Sequence, residues 1–175
     1  GWRDWLVQHI DHRKPVYLFA GPGNNGGDAL AVARMLAWSK LKCTVFLFDF
    51  GRELKGDPDT NWQRLEDQNQ VILKKINTDE DIPAISPEAI VIDGLFGSGL
   101  NKPLEGLAAK IVQKMNQSGA TIISIDIPSG LFGEDNSYNN FSAIVKANYT
   151  LTFQFPKLSF LFPENEQFVG DWKVL

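Results

Sequence analysis

Strand-like apolar runs of five to seven residues recur along this chain, at about 15–20, 43–49, 71–76, 89–94, 120–126, 148–154 and 171–175. Val91-Ile92 and Thr121-Ile122-Ile123-Ser124-Ile125 are β-branched and nearly continuous in apolarity, the pattern of strands buried on both faces. Between these runs the period changes. Leu30, Ala33, Leu36 and Ala37 share one face of a helix predicted over about 27–40, and Leu107, Ile111, Val112 and Met115 share one over about 104–117. A further helix fits at about 59–69, while 50–58 and 77–88, rich in Gly, Pro and Asp, read as loops. Strands alternating with helices predict an α/β fold: a Rossmann-like, doubly wound, mostly parallel sheet with helices on both faces, a three-layer αβα domain over residues 1–175.

Composition narrows the function classes. With 175 residues, 43% hydrophobic and 22% charged, the chain suits one ordinary globular domain. A net charge of -4 and a pI near 5.2 argue against a nucleic-acid partner. No stretch approaches the roughly 20 apolar residues of a membrane span, and Gly1 to Lys14 lacks the apolar core of a signal peptide. The expected setting is cytoplasmic. Cys43 is the sole cysteine, which excludes an intrachain disulfide and reads as a core thiol. The abrupt start at Gly1 reads as that of a piece of a longer chain.

The densest chemistry follows the first strand. Gly21-Pro22-Gly23-Asn24-Asn25-Gly26-Gly27-Asp28 joins it to the first predicted helix, and a glycine-rich turn at a helix N-terminus attracts phosphate. Gly21, Gly23 and Gly26 satisfy G-x-G-x-x-G, with Asp49 near the distance expected of a ribose-binding acid, but no Gly-Lys-Ser/Thr follows to make a Walker loop. Asp28 reads equally as the helix N-cap or as a ligand contact. The Asn25 carbonyl suits a ribose hydroxyl or a hard cation.

Two acids end strands. Asp93 precedes Gly94-Leu95-Phe96-Gly97-Ser98-Gly99-Leu100, and Asp126 precedes Ile127-Pro128-Ser129-Gly130. In open α/β sheets ligands bind outside the carboxyl ends of strands, so loops 21–28, 93–103 and 126–133 are expected to meet there. His9 and His12 precede the first strand, leaving a Ser-His-Asp hydrolase without its base. Lys157 reads either as a solvated loop charge or as a group reaching the crevice.

These elements, with Thr150-Leu151-Thr152-Phe153 and Pro156-Lys157, resemble the YjeF N-terminal domain family of NAD(P)H-hydrate epimerases over nearly the whole chain from Val16. The resemblance implies an isomerase that interconverts the R and S forms of hydrated NADH and NADPH (NADHX and NADPHX) at C6, so that an S-specific dehydratase can restore the cofactor. It implies substrate contacts at Asn24, Asn25, Gly26, Gly27, Asp28, Gly97, Ser98, Gly99, Leu100, Asn101, Lys102, Pro103 and Asp126, the stretch from Gly97 holding phosphates. It implies one potassium ion per subunit, held by Asn25, Asp93 and Ser129 with backbone oxygens; the hydrate is substrate, not cofactor. Asp126 is assigned as the acid/base.

The family pattern also implies a homodimer in the full-length protein and a fused or separate NAD(P)H-hydrate dehydratase. Ala29 departs from it, standing where a glycine commonly follows Asp28, and of the N-terminal helical segment that supplies dimer contacts only 1–14 could be a remnant. The chain is therefore expected to be an excised epimerase module lacking most of that segment. Two other readings stay open: a non-catalytic scaffold of the same fold, against which Asp28, Asp93 and Asp126 argue, and an NAD-dependent oxidoreductase resting on the glycine pattern and Asp49.

Overall fold

A computed structural model describes residues 1–49 and 53–175. Seven strands, β1 (Val16–Ala20), β2 (Cys43–Leu47), β3 (Ile72–Lys75), β4 (Ile90–Gly94), β5 (Thr121–Ile125), β6 (Tyr149–Thr152) and β7 (Asp171–Val174), form one sheet in the order β3-β2-β1-β4-β5-β6-β7. Every pairing is parallel. Each of the seven lies inside its predicted run. The order reverses between β1 and β4, which hydrogen-bond from Val16↔Ile90 to Ala20↔Gly94. That switch point opens a crevice at the carboxyl ends of the strands.

Alternation along the strands divides the core between two layers. Leu18, Val45, Ile92 and Ile123 point to one face, where they pack with Leu30, Ala33 and Leu36 of α2 (Asn24–Trp38), Trp62 and Leu65 of α3 (Asp57–Gln68), and Trp2, Trp5 and Leu6 of α1 (Trp2–His9). Phe19, Phe46, Val91 and Ile122 point to the other, against Ile111, Val112 and Met115 of α4 (Gly106–Gln117). Cys43 sits in the first layer, its thiol pushed up to about 12 by burial. Burying these side chains is the main favourable term in folding, at roughly 1.5–3 kcal/mol for each large aliphatic or aromatic group.

Two expectations change, and two helices join those predicted. The 1–14 segment contains α1, whose Trp2, Trp5 and Leu6 form a buried helical face, and a short α5 (Glu166–Val169) precedes β7. The loop expected over 50–58 lies partly outside the described residues, and α3 begins within it at Asp57. Helix α2 starts at Asn24, with Gly23 as N-cap, so Asp28 is the fifth helical residue and not the cap. His9 lies on α1, stacked on Trp5 with ring centroids 4.1 Å apart, away from the strand-end crevice.

Candidate active site

The turn from β1 into α2 is tightly folded upon itself. A Cβ on Gly26 would lie 1.7 Å from the Gly21 carbonyl oxygen, and one on Gly21 would lie 1.9 Å from the Leu95 carbonyl oxygen. Only glycine allows this approach, which seats the α2 N-terminus directly against the loop after β4. The first turn of α2 thereby presents the backbone donors and partial positive charge of a helix start towards the crevice.

Beneath that turn lies a fully buried carboxylate. Asp93 Oδ2 accepts hydrogen bonds from Ser124 Oγ (2.7 Å) and the Ser129 amide (2.8 Å), while Oδ1 accepts from Ser129 Oγ and, at 3.4 Å, from the Leu95 amide. Burial pushes this carboxyl above its usual range, and the bonds from Ser129, Ser124 and Leu95 pull the other way. Ser129 Oγ also accepts from the Phe96 amide at 2.9 Å. Asn25 Nδ2 donates to the Phe96 carbonyl at 3.0 Å, so Asn25, Asp93 and Ser129 belong to one network centred on Phe96.

One atom of that network stands out. Asn25 Oδ1 is buried and, among the described residues, accepts no hydrogen bond. A buried amide oxygen without a partner costs about 1–3 kcal/mol. Ser129 Oγ, the Asp93 carboxyl and the Phe96 carbonyl, joined to Asn25 in that network, are likewise oxygen donors, the chemistry that suits a hard cation. Among the described residues no group of three or more His, Cys, Asp or Glu is placed to hold a metal ion.

Asp126 follows β5 with φ 66°, in the left-handed region that non-glycine residues seldom adopt. Its amide donates to the Leu151 carbonyl of β6 at 2.8 Å, continuing the β5–β6 pairing one residue beyond the strand. Three donors converge on Oδ1: Thr152 Oγ1 (3.0 Å), the Phe153 amide (3.1 Å) and Lys157 Nζ (2.9 Å). Oδ2 accepts no hydrogen bond among the described residues. The ion pair is largely shielded, with the two side chains 20% and 16% exposed. Downstream, Gly130 has φ 95° and its missing Cβ would lie 2.3 Å from the Ala143 carbonyl, so the turn that seats Ser129 needs glycine.

A cavity of about 550 Å³ gathers these elements. Its walls are the turn Pro22–Asn25 with Asp28, the loop Leu95–Leu100, and Asp126. The volume suits a small-molecule ligand. Asp28 projects from α2 into this space, and its carboxyl is raised by partial burial and by the negative charges of Asp126 and Asp57. Asp93 and Ser129 lie fully buried, outside the lining.

Not every residue named from sequence lines the cavity. Gly26 and Gly27 are buried in α2, the latter packed against Pro58, and serve the packing of the turn. Asn101 lines a neighbouring cavity, and Lys102 and Pro103 line neither of the two. Asp49 opens onto a separate hollow near Lys75. Lys157, which the sequence left open, stands beside Asp126. Nothing local to Pro156-Lys157 reports this, because the contact depends on β5 and β6 being neighbours in the sheet.

Residues 2–159 match the family described as YjeF-related protein N-terminus. Over 157 residues the chain is 34% identical to the NAD(P)H-hydrate epimerase of Oenococcus oeni, covering 90% of this chain and 71% of that protein. Over 158 residues it is 37% identical to the bifunctional NAD(P)H-hydrate repair enzyme Nnr of Thermofilum pendens, covering 88% of this chain but 29% of that protein. Thus the chain spans less than a third of the bifunctional relative. The crystal structure of yeast ynu0 (YNL200c) superposes with a TM-score of 0.78 at 22% identity, over 99% of this chain and 72% of that one, a likeness of fold.

Proposed function

Because this chain belongs to the family of YjeF-related protein N-termini, we propose that it is an NAD(P)H-hydrate epimerase, an isomerase that interconverts the R and S forms of NADHX and NADPHX at C6. The observation that carries this reading is a single cavity walled by the glycine-rich turn, by Leu95–Leu100 and by Asp126. A helix N-terminus and a carboxylate thus face one space. Residues 1–175 are read as one epimerase domain.

Inversion at C6 requires the hydroxyl to leave as water and water to return to the opposite face, or the ring to open and reclose. In the first route a carboxylic acid protonates the departing hydroxyl while the ring nitrogen supplies the electron pair; the carboxylate then takes a proton from the water that adds. Asp126 is assigned this exchange. With Oδ1 held by Lys157, Thr152 and the Phe153 amide, Oδ2 is the oxygen that gives and takes the proton. Holding the carboxylate in one orientation lowers the entropy cost of the step. Asn24, Asn25 and Asp28 contact the ring and ribose in this reading, and the Gly97–Leu100 stretch carries the phosphates.

Asn25 Oδ1, Ser129 Oγ and Asp93 are the residues that would hold a potassium ion, with backbone carbonyls completing its shell. The unpartnered Asn25 oxygen supports that assignment. When bound, the ion supplies a fixed positive charge beneath the turn that faces the phosphates. A homodimer and a fused or separate dehydratase belong to the same proposal, a fusion being in keeping with the relatives named bifunctional repair enzymes.

A coupled assay tests the reading. An S-specific dehydratase alone leaves pure R-hydrate unconsumed; adding this protein is expected to restore NADH from it. A non-catalytic scaffold would restore none, and an oxidoreductase would instead oxidise or reduce ordinary NAD(H).

A further inference from the structure

A second cavity of about 640 Å³ adjoins the first, with Ser98, Gly99 and Leu100 as their shared wall. Its opposite wall is the loop after β5, carrying Gly133, Glu134, Asp135 and Tyr138. The two loops approach closely: a Cβ on Gly133 would lie 3.6 Å from the Ser98 carbonyl oxygen. The shared wall is open at Gly99, where an added Cβ would meet nothing within 4 Å.

Hydrogen bonds brace the far wall. Asn136, 7% exposed, accepts from the Phe132 amide at 2.8 Å and returns a bond to the Phe132 carbonyl at 3.0 Å. Asn139 then ties it to the Gly130 carbonyl at 2.8 Å, and the Ser159 amide binds the Gly133 carbonyl at 2.9 Å. On this braced loop Tyr138 is 92% exposed beside the cavity, an aromatic face without a packing role. Glu134 and Asp135 are exposed next to it. The hydroxyl and amide of Ser137 bond Asp135 and hold its carboxyl below the usual range, so it is charged at neutral pH. Among the described residues no arginine lines this cavity, and its one lysine, Lys157, is paired with Asp126 at 2.9 Å.

A dinucleotide has two nucleoside halves joined by a diphosphate. With the reacting ring beside Asp126 and the diphosphate over Ser98–Leu100, the distal half enters the second cavity. We propose, resting on the epimerase reading, that this cavity is the adenosine subsite and that Glu134 and Asp135 make it selective for an unphosphorylated ribose, hence for NADHX over NADPHX. Carboxylates accept hydrogen bonds from a ribose 2′-hydroxyl and repel a 2′-phosphate, where NADP sites use arginine. Tyr138 supplies the stacking face for adenine.

Calorimetric titration with ADP-ribose and 2′-phospho-ADP-ribose tests the subsite without requiring turnover. ADP-ribose is expected to bind at least about tenfold more tightly at low salt, the gap narrowing as ionic strength rises. The double variant Glu134→Gln, Asp135→Asn brings the two affinities together, and Tyr138→Ala weakens both by about fivefold or more. Equal affinities in the native protein, or affinities indifferent to Tyr138→Ala, would overturn the assignment. Selective ADP-ribose binding by a protein that epimerises neither hydrate would support the subsite and reject the activity alone.

Discussion

Lys157 Nζ lies 2.9 Å from Asp126 Oδ1, tying the end of β5 to the segment after β6 across 31 positions of sequence. The pair is mostly shielded from solvent, so its geometry is held by the protein. Lys157→Met removes the charged donor and leaves Thr152 Oγ1 and the Phe153 amide to hold Oδ1. The expected result is a fall of about 10²-fold in kcat with about 1–3 kcal/mol lost in denaturant unfolding. An unchanged kcat would detach Lys157 from the chemistry.

Asp93 is the acceptor for both serines beneath the turn. Asp93→Ala strands Ser124 Oγ and the Ser129 amide in a buried site and takes from Ser129 Oγ its main acceptor. A loss of about 3–5 kcal/mol follows, seen as a Tm lower by roughly 6–20 °C. Asp93→Asn keeps the shape and one acceptor oxygen, and is expected to lose less.

Asp28 gives a pH signature of opposite sign to an ordinary paired carboxylate. Its folded-state pKa is raised above 3.8, by burial first and then by Asp126 and Asp57. The folded state therefore binds more protons than the unfolded state above pH 3.8, and stability declines as pH rises through the folded value. Asp28→Asn is expected to raise Tm at pH 7 and to leave it unchanged well below pH 3.8, while lowering epimerisation. Thermal unfolding of both proteins across pH checks this; a Tm gain persisting unchanged into acid would refute it.

The unpartnered Asn25 oxygen predicts a specific response to potassium. A ligand at 100 times its Kd adds about 2.7 kcal/mol of stability. Potassium chloride is expected to raise Tm above that in matched tetramethylammonium chloride, and Asn25→Ala to abolish the difference. Equal melting of the native protein in both salts would remove the cation from the account.

Strand positions were legible in the sequence because buried parallel strands leave near-continuous apolar runs. The crevice followed from the rule that ligands lie at strand carboxyl ends. One misplacement has its cause in glycine. Gly26 and Gly27 are poor helix formers, so the pattern placed the start of α2 at about 27 and left the cap as one of two readings of Asp28, yet the helix begins at Asn24, where Gly26 packs closely against Gly21. Helix α1 did carry a signal, the spacing of Trp2, Trp5 and Leu6, hidden by its brevity and polar remainder. The pairing of Lys157 with Asp126 left no local trace, since it rests on strand order, a property of the whole sheet.

Chiral chromatography of pure R-NADHX incubated with the native protein and with Asp126→Asn is the most direct test of a carboxylate-centred epimerase. Conversion towards an R/S mixture is expected of the native protein, and its loss in Asp126→Asn with hydrate binding still measurable. R-hydrate that stays R with the native, folded protein, or full conversion by Asp126→Asn, would contradict it.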